Sequence, residues 1–263
     1  MKTRVLFGLV TLGLGACAGA GARPAAHPGA GASTVEVSAA VRAAVDAPAR
    51  ADEDRALDRG RRPAEMLSFF GVGPGQRVVE LFAGGGYTAE LLARVVGDGG
   101  HVWVQNNAFV LDRFARGPLE ARLARLGAGH VTRIDREFDA PIPPEVQGLD
   151  AVLFVLAYHD TVWLNVDRSA MNRTIFNALR PGGVYGIVDH SAAEGSGLRD
   201  VQSLHRIEQR ALVAEVTAAG FVLDGEADFL RNPRDPRDWN DSPRAAADRR
   251  GTSDRFVLRF RRP

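Results

Sequence analysis

The chain has 263 residues, 45% of them hydrophobic and 25% charged, which suits one medium globular domain with extra segments. Lys plus Arg number 33 against 32 Asp plus Glu, so no bulk charge draws the chain to nucleic acid and no such partner is expected. The single cysteine, Cys17, excludes an intramolecular disulfide and any cysteine-based metal site.

Residues 1–17 open with Lys2 and Arg4, continue as an apolar run too short to span a bilayer, and end in Leu14-Gly15-Ala16-Cys17. That ending resembles the bacterial lipobox, in which small residues fit a narrow protease site and the cysteine carries the lipid. The resemblance implies an exported protein of the cell envelope or periplasm, held at the membrane surface through a lipidated Cys17. A plain signal peptide that happens to contain a cysteine is the alternative. Residues 18–34 are Ala, Gly and Pro with almost nothing to bury and read as a flexible tether. Residues 35–62 read as a helical extension: a weakly amphipathic helix over 35–47, ended by Pro48, and a charged surface helix over 51–60.

From residue 63 to 263 one domain is expected. A helix over 63–70 starts at Pro63 and stops at glycines 71, 73 and 75. Strands are then predicted over 77–82, 101–105, 131–135, 150–157, 183–189, 221–230 and 254–260. Helices are predicted over 87–96, 109–126 with a break near Gly117-Pro118, 169–179 and 205–219. The alternation implies right-handed crossovers and a parallel sheet. The last link, 231–253, is polar with three prolines and carries no helical pattern, so the final strand is free to run antiparallel. The fold class is therefore α/β: a doubly wound, mostly parallel seven-stranded sheet with the last strand antiparallel. The segment 231–253 and the loop around Ser196 are read either as covers of a site or as solvated connections.

The stretch from Val78 to Thr88 ends a strand, turns on Gly84-Gly85-Gly86 and starts a helix. Glycines there let the backbone take unusual dihedrals or approach a ligand without a Cβ, and the helix start offers free N–H groups. Two ligands use such geometry. Gly84 to Ala89 formally satisfies G-x-G-x-x-A, a dinucleotide signature, but Gln105, Asn106 and Asn107 stand where that signature needs an acid on the ribose.

The same stretch resembles motif I of the class I, Rossmann-like S-adenosylmethionine-dependent methyltransferases, with Glu80 ahead of Gly84 and Gly86 and Phe82 where many members have another glycine. Phe138-Asp139-Ala140 resembles the family's Asp-Ala element, and Leu179 to Gly183 its Leu-x-Pro-Gly-Gly turn. Tyr158-His159-Asp160 and Arg231-Asn232-Pro233 look like those of a bacterial subgroup of predicted methyltransferases. The resemblance covers about residues 63–263 and implies S-adenosylmethionine as cofactor. It places Glu80 toward the methionine ammonium, Asp139 on the adenine amino group, and Phe82, Gly84, Gly86 and Ala140 around the cofactor. Gln105 or Asn106 takes the ribose position usually held by Asp or Glu, with weaker hydrogen bonds than a charged group makes.

Strand four is expected to deliver Tyr158, His159 and Asp160, and strand five Asp189 and His190, to the carboxyl edge where such sheets bind ligands. His159 is the expected general base, oriented by Asp160 or Asp189, with Tyr158 packing or hydrogen-bonding near the methyl group and His190 among the groups around the acceptor; capping of the next helix is the bland alternative for the His and Asp residues. A His-and-Asp metal site is an alternative use of these residues, but no spacing such as H-x-x-x-H supports it, so no metal is expected, and no G-x-S-x-G nucleophile elbow occurs. The expected activity is methyl transfer to an unidentified small molecule or envelope component. A tethered, non-catalytic module binding a nucleoside-like ligand and a nucleotide-dependent oxidoreductase are the competing readings.

Overall fold

The computed structural model describes residues 35–263. The leader, Cys17 and the tether through residue 34 lie outside the described residues.

Seven strands form one sheet in the order β3-β2-β1-β4-β5-β7-β6. They are β1 (Arg77–Leu81), β2 (His101–Asn106), β3 (Val131–Asp135), β4 (Leu149–Val155), β5 (Leu179–His190), β6 (Val222–Ala227) and β7 (Arg255–Arg261). β1 pairs in parallel with β2 on one side and β4 on the other, so the strand order reverses there. β7 lies between β5 and β6 and runs antiparallel to both, as expected of a strand reached without a helical crossover. The central strands are buried on both faces, which explains their continuous apolar runs. Edge strand β6 instead alternates and exposes Asp224 and Glu226, charges that discourage edge-to-edge pairing.

The helices are α1 (Ala39–Asp46), α2 (Asp52–Arg61), α3 (Pro63–Phe69), α4 (Tyr87–Val96), α5 (Ala108–Val110), α6 (Arg116–Leu126), α7 (Asp160–Trp163), α8 (Arg168–Ala178) and α9 (Gln209–Ala218). Between α5 and α6 a single π-turn spans Leu111–Ala115. The break expected at Gly117-Pro118 thus falls one turn earlier. Pro118 has no N–H for the carbonyl four residues back and its ring crowds it, so the turn before it widens. Helix α9 begins at Gln209, four residues later than predicted, because residues 205–207 are drawn to the sheet edge. Ile207 N donates to His190 O at 3.0 Å and Ala192 N to Ile207 O at 3.0 Å.

The extension over 35–62 packs onto the domain. Ser38 caps α1 by accepting from Val41 N, and Val41 and Ala44 are buried against α4. Arg50 grips Asp58 through two 2.7 Å hydrogen bonds, and the Tyr87 hydroxyl donates to Asp58 at 2.6 Å. Arg122 of α6 bridges Asp54 of α2 and the buried Glu90 of α4. These charge-assisted bonds hold α2 across the start of α4, directly over the glycine turn.

Candidate functional site

The crevice beside β1 and β4, where the strand order reverses, is the place at which an open α/β sheet receives a ligand. Its first wall is the glycine turn. Gly84 and Gly86 take φ of +56° and +82°, and Phe82 takes +52°, a left-handed backbone that costs a non-glycine residue about 1–2 kcal/mol. Glycine would take this φ without that cost. Phe82 is held by stacking on Phe138, with ring centroids 5.3 Å apart and planes within 9°. Phe138 stacks on Phe154 in turn, and Phe154 packs on Tyr158, so an aromatic column links the turn to the end of β4. A Cβ placed on Gly84 would meet nothing within 4 Å, so the backbone there faces open space.

The structure gives Gln105 and Asn106 work other than that expected. Both are fully buried. Gln105 Oε1 accepts from Phe82 N at 3.1 Å and its Nε2 donates to Arg136 O at 2.6 Å. Asn106 Oδ1 accepts from Gly84 N at 2.8 Å and its Nδ2 donates to Gly84 O at 3.2 Å. Each amide oxygen and nitrogen thus bonds backbone, so both side chains clamp the turn, a role the sequence did not suggest. The departure from an acid is thereby explained. A carboxylate at 106 would satisfy Gly84 N but would set an oxygen against Gly84 O, where only a donor fits.

Glu80, the last residue but one of β1, precedes this turn, 3% exposed, and its Oε2 has no partner among the described residues. Burial pushes its carboxyl up to about 8, against the opposing pull of Thr88, Arg61, Arg122 and the backbone of Ala89. Arg61 lies over the Tyr87 ring, 4.4 Å from its centroid, and closes the same corner. Asp139 and Ala140 sit on the exposed loop after β3, beside Phe138, and Asp139 Oδ1 accepts from Asp167 N at 2.7 Å.

The second wall is a histidine cluster. Leu156 leaves β4 with φ of +59° and turns the chain toward β5 by donating from its N to Val188 O at 2.7 Å. His159 follows, 2% exposed. Asp189, buried at the end of β5, accepts from His159 Nδ1 at 2.7 Å, His159 N at 2.8 Å and His190 N at 2.8 Å. Of the two carboxylates expected to orient His159, Asp189 therefore fixes the ring through Nδ1. His159 Nε2 faces the other way, 3.2 Å from both His205 Nδ1 and Asp160 Oδ1. Burial works against charge on His159, but Asp189 and Asp160 outweigh it and hold its pKa well above the usual imidazole value. Asp160 also accepts from Trp163 Nε1 at 2.7 Å, and its carboxyl is held far below the ordinary range: burial resists, while His159, His205 and Trp163 prevail.

Two expected participants, Tyr158 and His190, turn their polar atoms to other partners. Tyr158 is fully buried; its hydroxyl donates to Glu215 Oε2 at 2.9 Å and accepts from Asn172 Nδ2 at 3.0 Å, between α8 and α9. Its expected place near the methyl group is corrected to an anchor behind the strand end. His190 packs edge-on to His159, centroids 5.7 Å apart, and turns its Nδ1 to Ser253 Oγ at 2.9 Å and to Asp241. It supports His159 from behind. Burial pulls its pKa below the usual value despite Asp241.

His205 was read in sequence as the start of a helix. It has φ of +52°, which no helix accommodates, because the bridge at Ile207 pulls the chain aside. No local pattern signals this, since the cause is a contact with β5. The polar segment 231–253 packs on this loop: buried Arg206 pairs with Asp235 at 2.7 Å and stacks on Trp239, while Asp241 N donates to Leu204 O at 3.0 Å. The segment is a built wall beside His190, which decides against a merely solvated connection.

No family model and no curated protein matches the sequence of this chain. Solved structures do match in shape. A putative methyltransferase of Haloferax volcanii, in complex with the Trm112 methyltransferase activator, aligns with TM-score 0.57 at 17% identity, over 88% of this chain and all of that one. A SAM-dependent methyltransferase from Aquifex aeolicus aligns with TM-score 0.55 at 15% identity, over 80% and 96%. The [4+2]-cyclase SpnF aligns with TM-score 0.56 at 16% identity, over 80% of each chain. The chain thus has the Rossmann-like fold of the class I S-adenosylmethionine-dependent methyltransferases.

Proposed function

We propose that the chain binds S-adenosylmethionine in the crevice between β1 and β4 and transfers its methyl group to an acceptor lying over His159, Asp160 and His205. The observation that carries the reading is Glu80. A buried carboxyl with an unpartnered oxygen is costly unless a cation or donor meets it. The ammonium of the cofactor's methionine end is such a donor, while Gly84 lets backbone approach the ligand and Asp139 takes the adenine amino group. The dinucleotide reading lacks an equivalent use for Glu80.

When bound, the cofactor supplies an activated methyl group on a sulfonium. The protein's own work is then positioning, which supplies about 7–11 kcal/mol of barrier lowering in well-oriented reactions. The clamp of Gln105 and Asn106 fixes the turn, and Asp189 fixes the ring of His159. The acceptor is a small molecule or an envelope component. We also propose export and lipid anchoring from the leader; palmitate labelling should be lost in Cys17→Ala.

Calorimetry tests the cofactor half. S-adenosylmethionine should bind, Glu80→Ala and Gly84→Arg should abolish binding, and NAD binding in its place would overturn the reading. The neighbouring cyclase shows that this fold carries other chemistry, and the leader favours a tethered binding module as the second reading. Binding without turnover on any envelope extract would select it.

A further inference from the structure

We infer that His159, His205 and Asp160 form a binding site for a first-row divalent transition metal ion, zinc-like in geometry, with one coordination position open to an oxygen or nitrogen donor. His159 Nε2, His205 Nδ1 and Asp160 Oδ1 form a near-equilateral triangle with sides of 3.2, 3.2 and 3.3 Å. Ligands on a tetrahedral ion at about 2.0–2.1 Å stand about 3.3 Å apart, whereas an octahedral magnesium site at a similar bond length brings neighbours to about 2.9 Å. The two imidazole centroids are 5.3 Å apart with planes at 79°, which suits two rings converging on one point.

Two further observations point the same way. Asp189 holds Nδ1 of His159 at 2.7 Å, and its three bonds to His159 and His190 fix its own position. A carboxylate behind a histidine is the arrangement that orients a metal ligand and strengthens it as a base. His205 reaches the triangle only through a left-handed backbone, a strain retained where the surroundings demand that placement. Its side chain is 24% exposed, so the triangle is open on that flank while His159 and Asp189 seal the other.

Two imidazoles and one carboxylate suit zinc, and also iron or cobalt, better than magnesium or calcium, whose ligands are all oxygen. Sequence spacing missed the site because its ligands come from the end of β4 and from a loop 46 residues on, joined only by folding.

The test titrates the chelator-stripped chain with Co²⁺, read by its visible absorption, and then with Zn²⁺ in competition. One equivalent should bind with the intense bands of a tetrahedral ion, and zinc should displace it. His205→Ala and Asp160→Asn should lose this spectrum. Asp189→Asn should weaken binding by about 10–100-fold, as loss of an orienting partner does. His130→Ala, whose ring contacts Ala93 O and Asp98 away from the triangle, should bind as the parent does. Circular dichroism on each variant, and His205→Gln beside His205→Ala, separate lost ligation from lost folding. No cobalt spectrum in the folded parent, or an unchanged one in His205→Ala, overturns the inference. S-adenosylmethionine binding is measured in parallel: retained cofactor binding with no metal binding defeats the metal site alone.

Discussion

At the glycine turn, the amides of Gln105 and Asn106 each meet backbone through both oxygen and nitrogen, while the buried Glu80 Oε2 has no partner among the described residues. At the histidine cluster, charge is concentrated: Asp160, His159 and His205 lie within 3.3 Å of one another, and Asp189 backs His159 at 2.7 Å. The first region is a clamped cradle with an unpartnered buried carboxyl oxygen, as suits one fixed ligand. The second is a focus of charge with an open flank, as suits a reacting or exchanging one. The aromatic column of Phe82, Phe138, Phe154 and Tyr158 runs through the core between them and couples the two regions by packing.

The largest effect expected is at the cradle. Glu80→Ala and Gly84→Arg should remove measurable S-adenosylmethionine binding in calorimetry while the far-ultraviolet dichroism stays that of the parent. Next comes the cluster: His159→Ala should lower turnover by about 100-fold, the scale of a misplaced reacting group, with cofactor affinity nearly unchanged. If both variants lose cofactor binding equally, the division between the two regions fails.

A pH series sharpens it further. Glu80 is protonated below about 8 in the free protein because burial opposes its charge. Meeting an ammonium requires the carboxylate, so cofactor binding releases a proton and affinity should rise with pH, by at most about tenfold per unit, and level off above about 8. The same raised pKa means the folded chain holds a proton that the unfolded chain loses near its ordinary value. Stability of the free protein should therefore fall as pH climbs from about 4.5 to about 8, and Glu80→Gln should remove that part of the slope.

Smaller effects separate the clamp from a ribose contact. Asn106→Asp should destabilise the chain by about 1–3 kcal/mol, read as a lowered Tm, because Gly84 O loses its donor and faces an oxygen. It should weaken cofactor binding as well; tighter binding would mean that residue 106 meets the ribose after all. Tyr158→Phe should cost about 1 kcal/mol of stability and leave turnover close to the parent's.

The sequence was readable wherever structure is set by neighbours in the chain. Apolar runs gave the buried strands, Gly84 and Gly86 the turn, and the missing helix before β7 its antiparallel course. The fates of Gln105 and Asn106 were not readable, since what they bond depends on backbone some 20–30 residues away. His205 was hidden for a related reason. Its residues fit a helix, and only the bridge of Ile207 to β5 overrides that local preference and swings the ring to His159.

Glu80 carries the central claim, and proton-linked calorimetry reads it most directly. S-adenosylmethionine is titrated into the protein at pH 7 in two buffers of different ionisation enthalpy. Release of nearly one proton per cofactor bound, together with loss of binding in Glu80→Ala, is the result predicted. Tight binding with no proton released, or equal binding by Glu80→Ala, would contradict it.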